Sequence, residues 1–224
     1  MDKAKLAGAM ESTLLRPEVR EEDVVRLCHE AVELGVAAVC VNPCWVRTAA
    51  RLLHATRVVV VTVAGFPLGA SLTQMKVQEV VAAKAMGAQE IDVVVNVGHV
   101  KSRLWGLVEA ELGQLTETAH QCGMTLKIIV ECPLLSEAEK RQTAQLAHKA
   151  GVDYLKTCTG FNGGHATVED VKSLQAWSGP AMRIKASGGI AGAAQAEALL
   201  LAGARRLGTS RAGEILESMG EGAG

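Results

Sequence analysis

One phrase recurs along this chain: a helix-like run ends in glycine, and an apolar, β-rich run follows within a few residues. It occurs at Gly35 before residues 36–41, Gly87 before 91–95, Gly123 before 126–130, Gly151 before 152–156, and Gly203 before 206–208. Glycine just past a helix supplies the left-handed cap, and the run beyond it reads as a strand. Successive glycines stand 52, 36, 28 and 52 residues apart, so each long gap has room for one more unit. Both are visible, as strand-like runs at 57–63 and, after Gly179-Pro180, at 182–186.

Helical patterns of credible length lie between these runs at 21–34, 72–86, 104–121 and 193–202. Ser136 with Glu139 has capping-box spacing; Thr167 with Asp170 is a weaker version, carrying Asp where the box prefers Glu. Residues 10–15 give a plausible eighth strand at the front. Strict alternation of strand and helix means a parallel sheet, and eight units in 224 residues fit a closed (β/α)₈ TIM barrel of the α/β class. We expect one domain over residues 1–219 and a disordered tail at 220–224. An open doubly wound sheet is the runner-up; the absence of G-x-G-x-x-G after the first clear strand counts against it.

Composition narrows the partners. With 23 Lys+Arg against 24 Asp+Glu and 3% aromatic residues, the chain has neither the basic footprint nor the stacking surfaces of a nucleic-acid binder. The apolar content of 49% is that of a folded chain, yet no apolar stretch is long enough to span a membrane. Residues 1–6 carry no export signal, so a soluble, cytoplasmic chain is expected. The six cysteines form no C-x-x-C pair and suit free thiols in a reducing compartment.

Strands buried on both faces should be continuously apolar, so charges inside them need a reason. Asp92, Lys127, Glu131, Lys156 and Lys185 are those charges. Lys127 and Glu131 share parity and are expected to project into the barrel interior; a structural ion network and a supporting role at a site are equally open for them. Lys156 and Lys185 fall near the C-terminal rim, where barrel enzymes assemble their sites. Two desolvated lysines should repel and lower the pKa of one, leaving a neutral amine that attacks carbonyls. Asp92 would then move protons on and off the resulting Schiff base.

Two glycine-bearing segments, 186–190 and 207–210, follow the last two strands, the usual place for a barrel's phosphate cup. The six histidines show no H-x-H or H-E-x-x-H spacing, so no metal is assigned and no cofactor is implied. There is no G-x-S-x-G elbow. Cys40 and Cys44 straddle a strand end; a packed small residue is the better account of them than a rim thiol.

Four motifs together resemble the deoxyribose-phosphate aldolase family: Lys156-Thr157-Cys158-Thr159-Gly160-Phe161, Lys185-Ala186-Ser187-Gly188-Gly189-Ile190, Gly65-Phe66-Pro67-Leu68-Gly69, and Glu90-Ile91-Asp92-Val93-Val94-Val95-Asn96. They recur in order over essentially the whole chain. The resemblance implies a class I aldolase that reversibly cleaves 2-deoxy-D-ribose 5-phosphate to D-glyceraldehyde 3-phosphate and acetaldehyde, in deoxyribonucleotide catabolism. It implies Lys156 as the Schiff-base lysine, Lys185 as the second lysine that lowers its pKa, and Asp92 as the proton relay. It places Thr159 beside the substrate and Gly160, Gly188, Gly189, Gly208 and Ser210 at the phosphate, with Glu11, Thr13, Cys40, Lys127 and Glu131 in support.

Three departures from the family pattern are visible. Glu11-Ser12 stands where Asp-His is usual, and the added methylene is expected to disturb the proton network. Cys158 replaces the more usual Ser, adding an oxidisable thiol. Some members end in a tyrosine-bearing tail, whereas the only tyrosine here is Tyr154, so no relay through such a tail is expected. Two other readings stay open: another sugar-phosphate aldolase or isomerase on the same barrel, and a catalytically weakened sugar-phosphate binding protein. The outer helices leave several faces on which a homodimer would form.

Overall fold

A computed structural model describes residues 1–219; the tail expected at 220–224 lies outside the described residues. The eight strands are β1 (Met10–Leu14), β2 (Ala38–Val41), β3 (Val59–Ala64), β4 (Glu90–Val94), β5 (Thr125–Ile129), β6 (Tyr154–Lys156), β7 (Arg183–Ser187) and β8 (Ala204–Thr209). They alternate with α2 (Glu21–Leu34), α3 (Val46–Leu53), α4 (Thr73–Met86), α6 (Trp105–Gln121), α7 (Glu137–Lys149), α8 (Val168–Ser178) and α9 (Ala193–Leu201). Three shorter helices are α1 (Lys3–Ala7), α5 (Val97–Lys101) and α10 (Ala212–Ser218).

The strands run parallel in sequence order around a closed ring, and β8 returns to β1 with Met10 opposite Leu207, Glu11 opposite Gly208 and Ser12 opposite Thr209. An open sheet is therefore excluded, and the fold is the (β/α)₈ barrel in a single domain. All five glycines of the recurring phrase have positive φ, from 64° at Gly123 to 116° at Gly203. At Gly87 a side chain is also excluded by space, since a Cβ would lie 2.7 Å from Ala50 Cβ. Ser136 and Glu139 close a full capping box on α7, whereas Thr167 caps α8 from one side only.

Alternate strand residues face outward and meet the helices. Ile91, Leu126, Ile128, Leu155 and Ile184 are fully buried there, in one cluster with Val80, Leu112, Leu115 and Leu174 of the surrounding helices. Each such aliphatic side chain contributes about 1.5–3 kcal/mol by leaving water. The inward set is divided. Leu15, Ala38, Cys40, Val61 and Val63 fill one side of the interior with apolar groups, and the charged residues occupy the other.

Strand ends differ from expectation by one or two residues. β1 stops at Leu14, and Leu15, just beyond it, still belongs to that inner apolar group. β8 begins at Ala204, which pairs with Ile184, rather than at residue 206. Between those pairs the register slips, so that Lys185 faces Arg206 and Arg205 is extra. Irregularities of this kind re-aim residues of the strand that carries the extra one, here β8, whose Arg206 reaches the interior Glu90. No helix among the described residues is long and apolar enough to cross a membrane.

Candidate active site

Period-two alternation turns the strand charges toward the barrel axis. There Asp92 of β4 is the hub. Its Oδ2 accepts hydrogen bonds from Lys156 Nζ and Lys185 Nζ, each at 2.8 Å, and its Oδ1 accepts one from Lys127 Nζ at 3.1 Å. Glu11 of β1 pairs with Lys185 and lies 3.6 Å from Lys127. Glu90, two residues before Asp92, contacts Lys127 at 2.5 Å and Arg206 at 3.6 Å. Three carboxylates thus face three ammonium groups and one guanidinium with almost no solvent among them.

Burial opposes ionisation of every member, and pairing reverses the outcome. Burial would raise the Asp92 carboxyl, but Lys127, Lys156 and Lys185 together hold it well below the usual carboxylate range. Glu11 is likewise lowered, against burial, by Lys127 and Lys185. Burial pulls Lys185 down, yet Asp92 and Glu11 outweigh it and carry the amine above its ordinary value. Lys185 is thereby held as a cation, and it shares the Asp92 oxygen on which Lys156 rests. The longer Glu11 side chain still reaches Lys185, so its extra methylene does not break the network.

Of the three interior lysines, only Lys156 lines the cavity at the C-terminal mouth of the barrel. Among the described residues Asp92 is its one carboxylate partner, and the Phe66 ring lies 6.0 Å from its Nζ. The cavity measures about 710 Å³, a size suited to a small ligand, and is bordered by Thr13, Thr159, Gly160, Gly188, Gly189, Gly208 and Ser210. A second cavity of about 310 Å³, beside Cys28, His29 and Glu33, touches none of the interior charges.

The loops after β6 and β7 are tied together. Thr157 Oγ1 and Ser187 N each make a 3.0 Å bond across them, and Ser187 Oγ donates to Cys158 O at 2.6 Å. Gly188 has φ 97°, and a Cβ there would fall 2.5 Å from Cys158 Sγ. The Cys158 thiol donates to Ser187 O at 2.8 Å, and burial pushes it up to about 11. Burial and this bond both favour the protonated thiol over the more reactive thiolate. Cys40 is packed in the inner apolar group with its thiol also raised to about 11 by burial, while Cys44 is exposed.

Glu131 differs from its expected place. It lies beyond the end of β5 in a left-handed conformation, φ 58°, so it does not continue the parity of Lys127, and the two do not pair. Its carboxylate instead accepts from Thr159 N at 3.1 Å and Asn162 Nδ2 at 2.9 Å, which fixes the loop after Lys156. Asn162 also donates to Pro67 O at 3.3 Å, and Phe66 meets Phe161 edge-on with centroids 5.2 Å apart. Thr13 is half-buried at the mouth, donating to Glu11 O at 3.1 Å.

Several contributors escaped sequence reading. The shared parity of Glu90 and Asp92 was a usable signal; Arg206, across the ring, had none. Lys76 and Glu111 form a buried pair at 2.9 Å; Lys76 donates to Val94 O and Glu111 accepts from Asn96 N, steadying the chain just past Asp92. Burial lowers the Lys76 amine despite Glu111. Among the described residues no group of three or more His, Cys, Asp or Glu side chains is placed to hold a metal ion.

The family model described as DeoC/LacD family aldolase matches residues 1–214. A deoxyribose-phosphate aldolase of Desulfitobacterium hafniense (strain DSM 10664 / DCB-2) is 51% identical over 211 residues, covering 94% of this chain and 97% of that protein. One from Aciduliprofundum boonei is 45% identical, covering 98% and 99%. Among solved structures, an aldolase designated QR15 superposes with TM-score 0.91 at 35% identity, covering 96% of each chain. A deoxyribose phosphate aldolase from Aeropyrum pernix, described as tetrameric, gives TM-score 0.91 at 32% identity, covering 98% and 92%. With the closed barrel and lysine-lined mouth already in place, these matches make the chain a member of the DeoC/LacD aldolase family.

Proposed function

We propose that this enzyme, a class I aldolase, reversibly cleaves 2-deoxy-D-ribose 5-phosphate to D-glyceraldehyde 3-phosphate and acetaldehyde through a Schiff base on Lys156. One observation carries the reading: of three interior lysines joined to Asp92, Lys156 alone opens into the cavity. Its proton passes to Asp92 Oδ2 at 2.8 Å, and the neighbouring Lys185 charge favours its onward release to water entering the cavity, which leaves Lys156 as the free amine. The freed amine adds to the aldehyde carbon, water leaves, and a protonated imine forms. The bond between the second and third carbons then breaks. The third carbon's hydroxyl gives its proton to Asp92 by way of water and becomes the aldehyde of glyceraldehyde 3-phosphate, while the bonding electron pair passes into an enamine, to whose carbon the same relay returns the proton. Protonation of that enamine and addition of water release acetaldehyde and restore the amine.

In this reading Thr159 serves the sugar and Gly160, Gly188, Gly189, Gly208 and Ser210 serve the phosphate; that all six border the cavity supports it. Thr13, Lys127, Glu11 and Glu131 support them from behind. The substrates are small molecules, and we place the enzyme in the cytoplasm as a homo-oligomer; light scattering separates a homodimer from a larger assembly. The test of chemistry is borohydride reduction in the presence of 2-deoxyribose 5-phosphate or acetaldehyde, followed by peptide mass spectrometry. A reduced adduct is expected on Lys156, and Lys156→Ala should abolish both adduct and turnover while the protein stays folded. No adduct on any lysine of the folded protein would move the binding-protein reading to the front.

A further inference from the structure

We infer that Arg16 and Arg211 close as a two-sided guanidinium clamp on the phosphate of the substrate, and that this pair sets the preference for phosphorylated over neutral sugars. The inference rests on the aldolase reading and adds to it the residues that supply charge. Both arginines border the cavity that contains Lys156. Arg16 follows β1 and Arg211 follows β8, the two strands that meet where the ring closes, with Ser12 opposite Thr209. Their backbones are held: Asn42 Nδ2 donates to Leu15 O at 3.1 Å and to Arg16 O at 3.4 Å, and Arg211 N donates to Thr209 Oγ1 at 3.0 Å. Pro17 further restricts Arg16 to extended geometry.

The side chains themselves are free to turn. Each rests on an exposed carboxylate at long range, Arg16 on Glu18 at 3.4 Å and Arg211 on Glu214 at 3.8 Å. Exposed pairs of this kind hold weakly, and a phosphate offers a guanidinium shorter, charge-assisted bonds. The need for them is equally plain. At this end of the cavity Gly188, Gly189 and Ser210 offer only neutral donors, and the ammonium of Lys156 is committed to Asp92. Neutral donors leave most of a dianion's charge uncompensated. Glu214, which also borders the cavity and now rests against Arg211, adds a negative charge that the guanidinium must outweigh when it turns to the phosphate.

The experiment compares kcat/KM for 2-deoxyribose 5-phosphate and for 2-deoxyribose in the wild type, Arg16→Gln, Arg211→Gln and the double variant. The ratio of the two should fall roughly tenfold for each arginine and about a hundredfold for both, mostly through KM. In parallel, titration with inorganic phosphate at low salt should show the double variant binding at least tenfold more weakly than the wild type. A ratio that stays within twofold of the wild-type value, with both substrates slowed alike, overturns the clamp while the aldolase reading stands. If the wild type turns over neither sugar, the aldolase reading fails, and the phosphate titration alone decides whether the arginines hold the anion.

Discussion

Gly208 touches Lys185, and Gly208→Ala measures how finely that lysine must be placed. A Cβ on Gly208 would lie 3.0 Å from Ser187 Cβ and 3.1 Å from Lys185 Cε. Carbon atoms settle about 3.5–4.0 Å apart, so something must retreat by roughly half an ångström. Ser187 is pinned through its N to Thr157 Oγ1 and through its Oγ to Cys158 O. Lys185 is the softer neighbour, and its Nζ is what meets Asp92 at 2.8 Å. A misplacement of about 1 Å at a reacting group costs on the order of a hundredfold in rate, so half of that predicts a kcat about tenfold lower. Overpacking of this size destabilises by about 1–3 kcal/mol, which in a chain of this length lowers Tm by roughly 2–12 °C. The assay is steady-state cleavage of 2-deoxyribose 5-phosphate and of 2-deoxyribose, beside thermal unfolding. Both sugars should lose kcat together. A variant with reduced Tm but wild-type kcat on both would refute the placement of Lys185 by Gly208. An effect confined to KM for the phosphorylated sugar would return Gly208 to the phosphate alone.

Lys127→Met should leave Asp92 and Glu90 short of a buried cation and destabilise the fold by about 3–5 kcal/mol, read by urea unfolding; a loss under about 1 kcal/mol would mean the interior charges are not mutually dependent. Acid should weaken the fold through Asp92 and Glu11, both lowered in the folded state. Their contribution is complete above the ordinary carboxylate range near 4 and lost as pH falls through the depressed folded values, so Glu11→Gln should flatten the acid limb of a Tm profile. An unchanged limb would remove Glu11 from the network. At the alkaline end Lys185 acts with opposite sign, holding stability below its ordinary pKa and releasing it as pH rises through the raised folded value.

Much of this was legible in the chain because it is local. Glycine caps and apolar runs report backbone conformation within a few residues, which is why the barrel and the helix spanning Glu21–Leu34 could be read directly. A charge inside a buried strand likewise announces itself, and Asp92, Lys156 and Lys185 do meet. Their pairing was not legible. Whether two lysines repel or are neutralised depends on Glu11 and Asp92 arriving from other strands, and periodicity does not say which remote side chain comes within 3 Å. Glu131 escaped for a different reason: its left-handed backbone ended the strand one residue earlier, and nothing in its neighbours announced that. The α5 turn, Val97–Lys101, is too short to show a helical period.

The ring also governs when this site can exist during synthesis. Glu11 and Lys185 are 174 residues apart, and the strands that carry them become near neighbours only when β8 seals against β1. Contacts of such long range form late, after the entropic cost of closing the loop has been met. A nascent chain that has made seven strands holds Lys127 and Lys185 without the closure that secures Glu11 between them. Catalytic competence is therefore tied to the last step of chain assembly, and a truncated or stalled product lacks the charge balance as well as the missing strand. The ion cluster around Lys156 is complete only when the ring is.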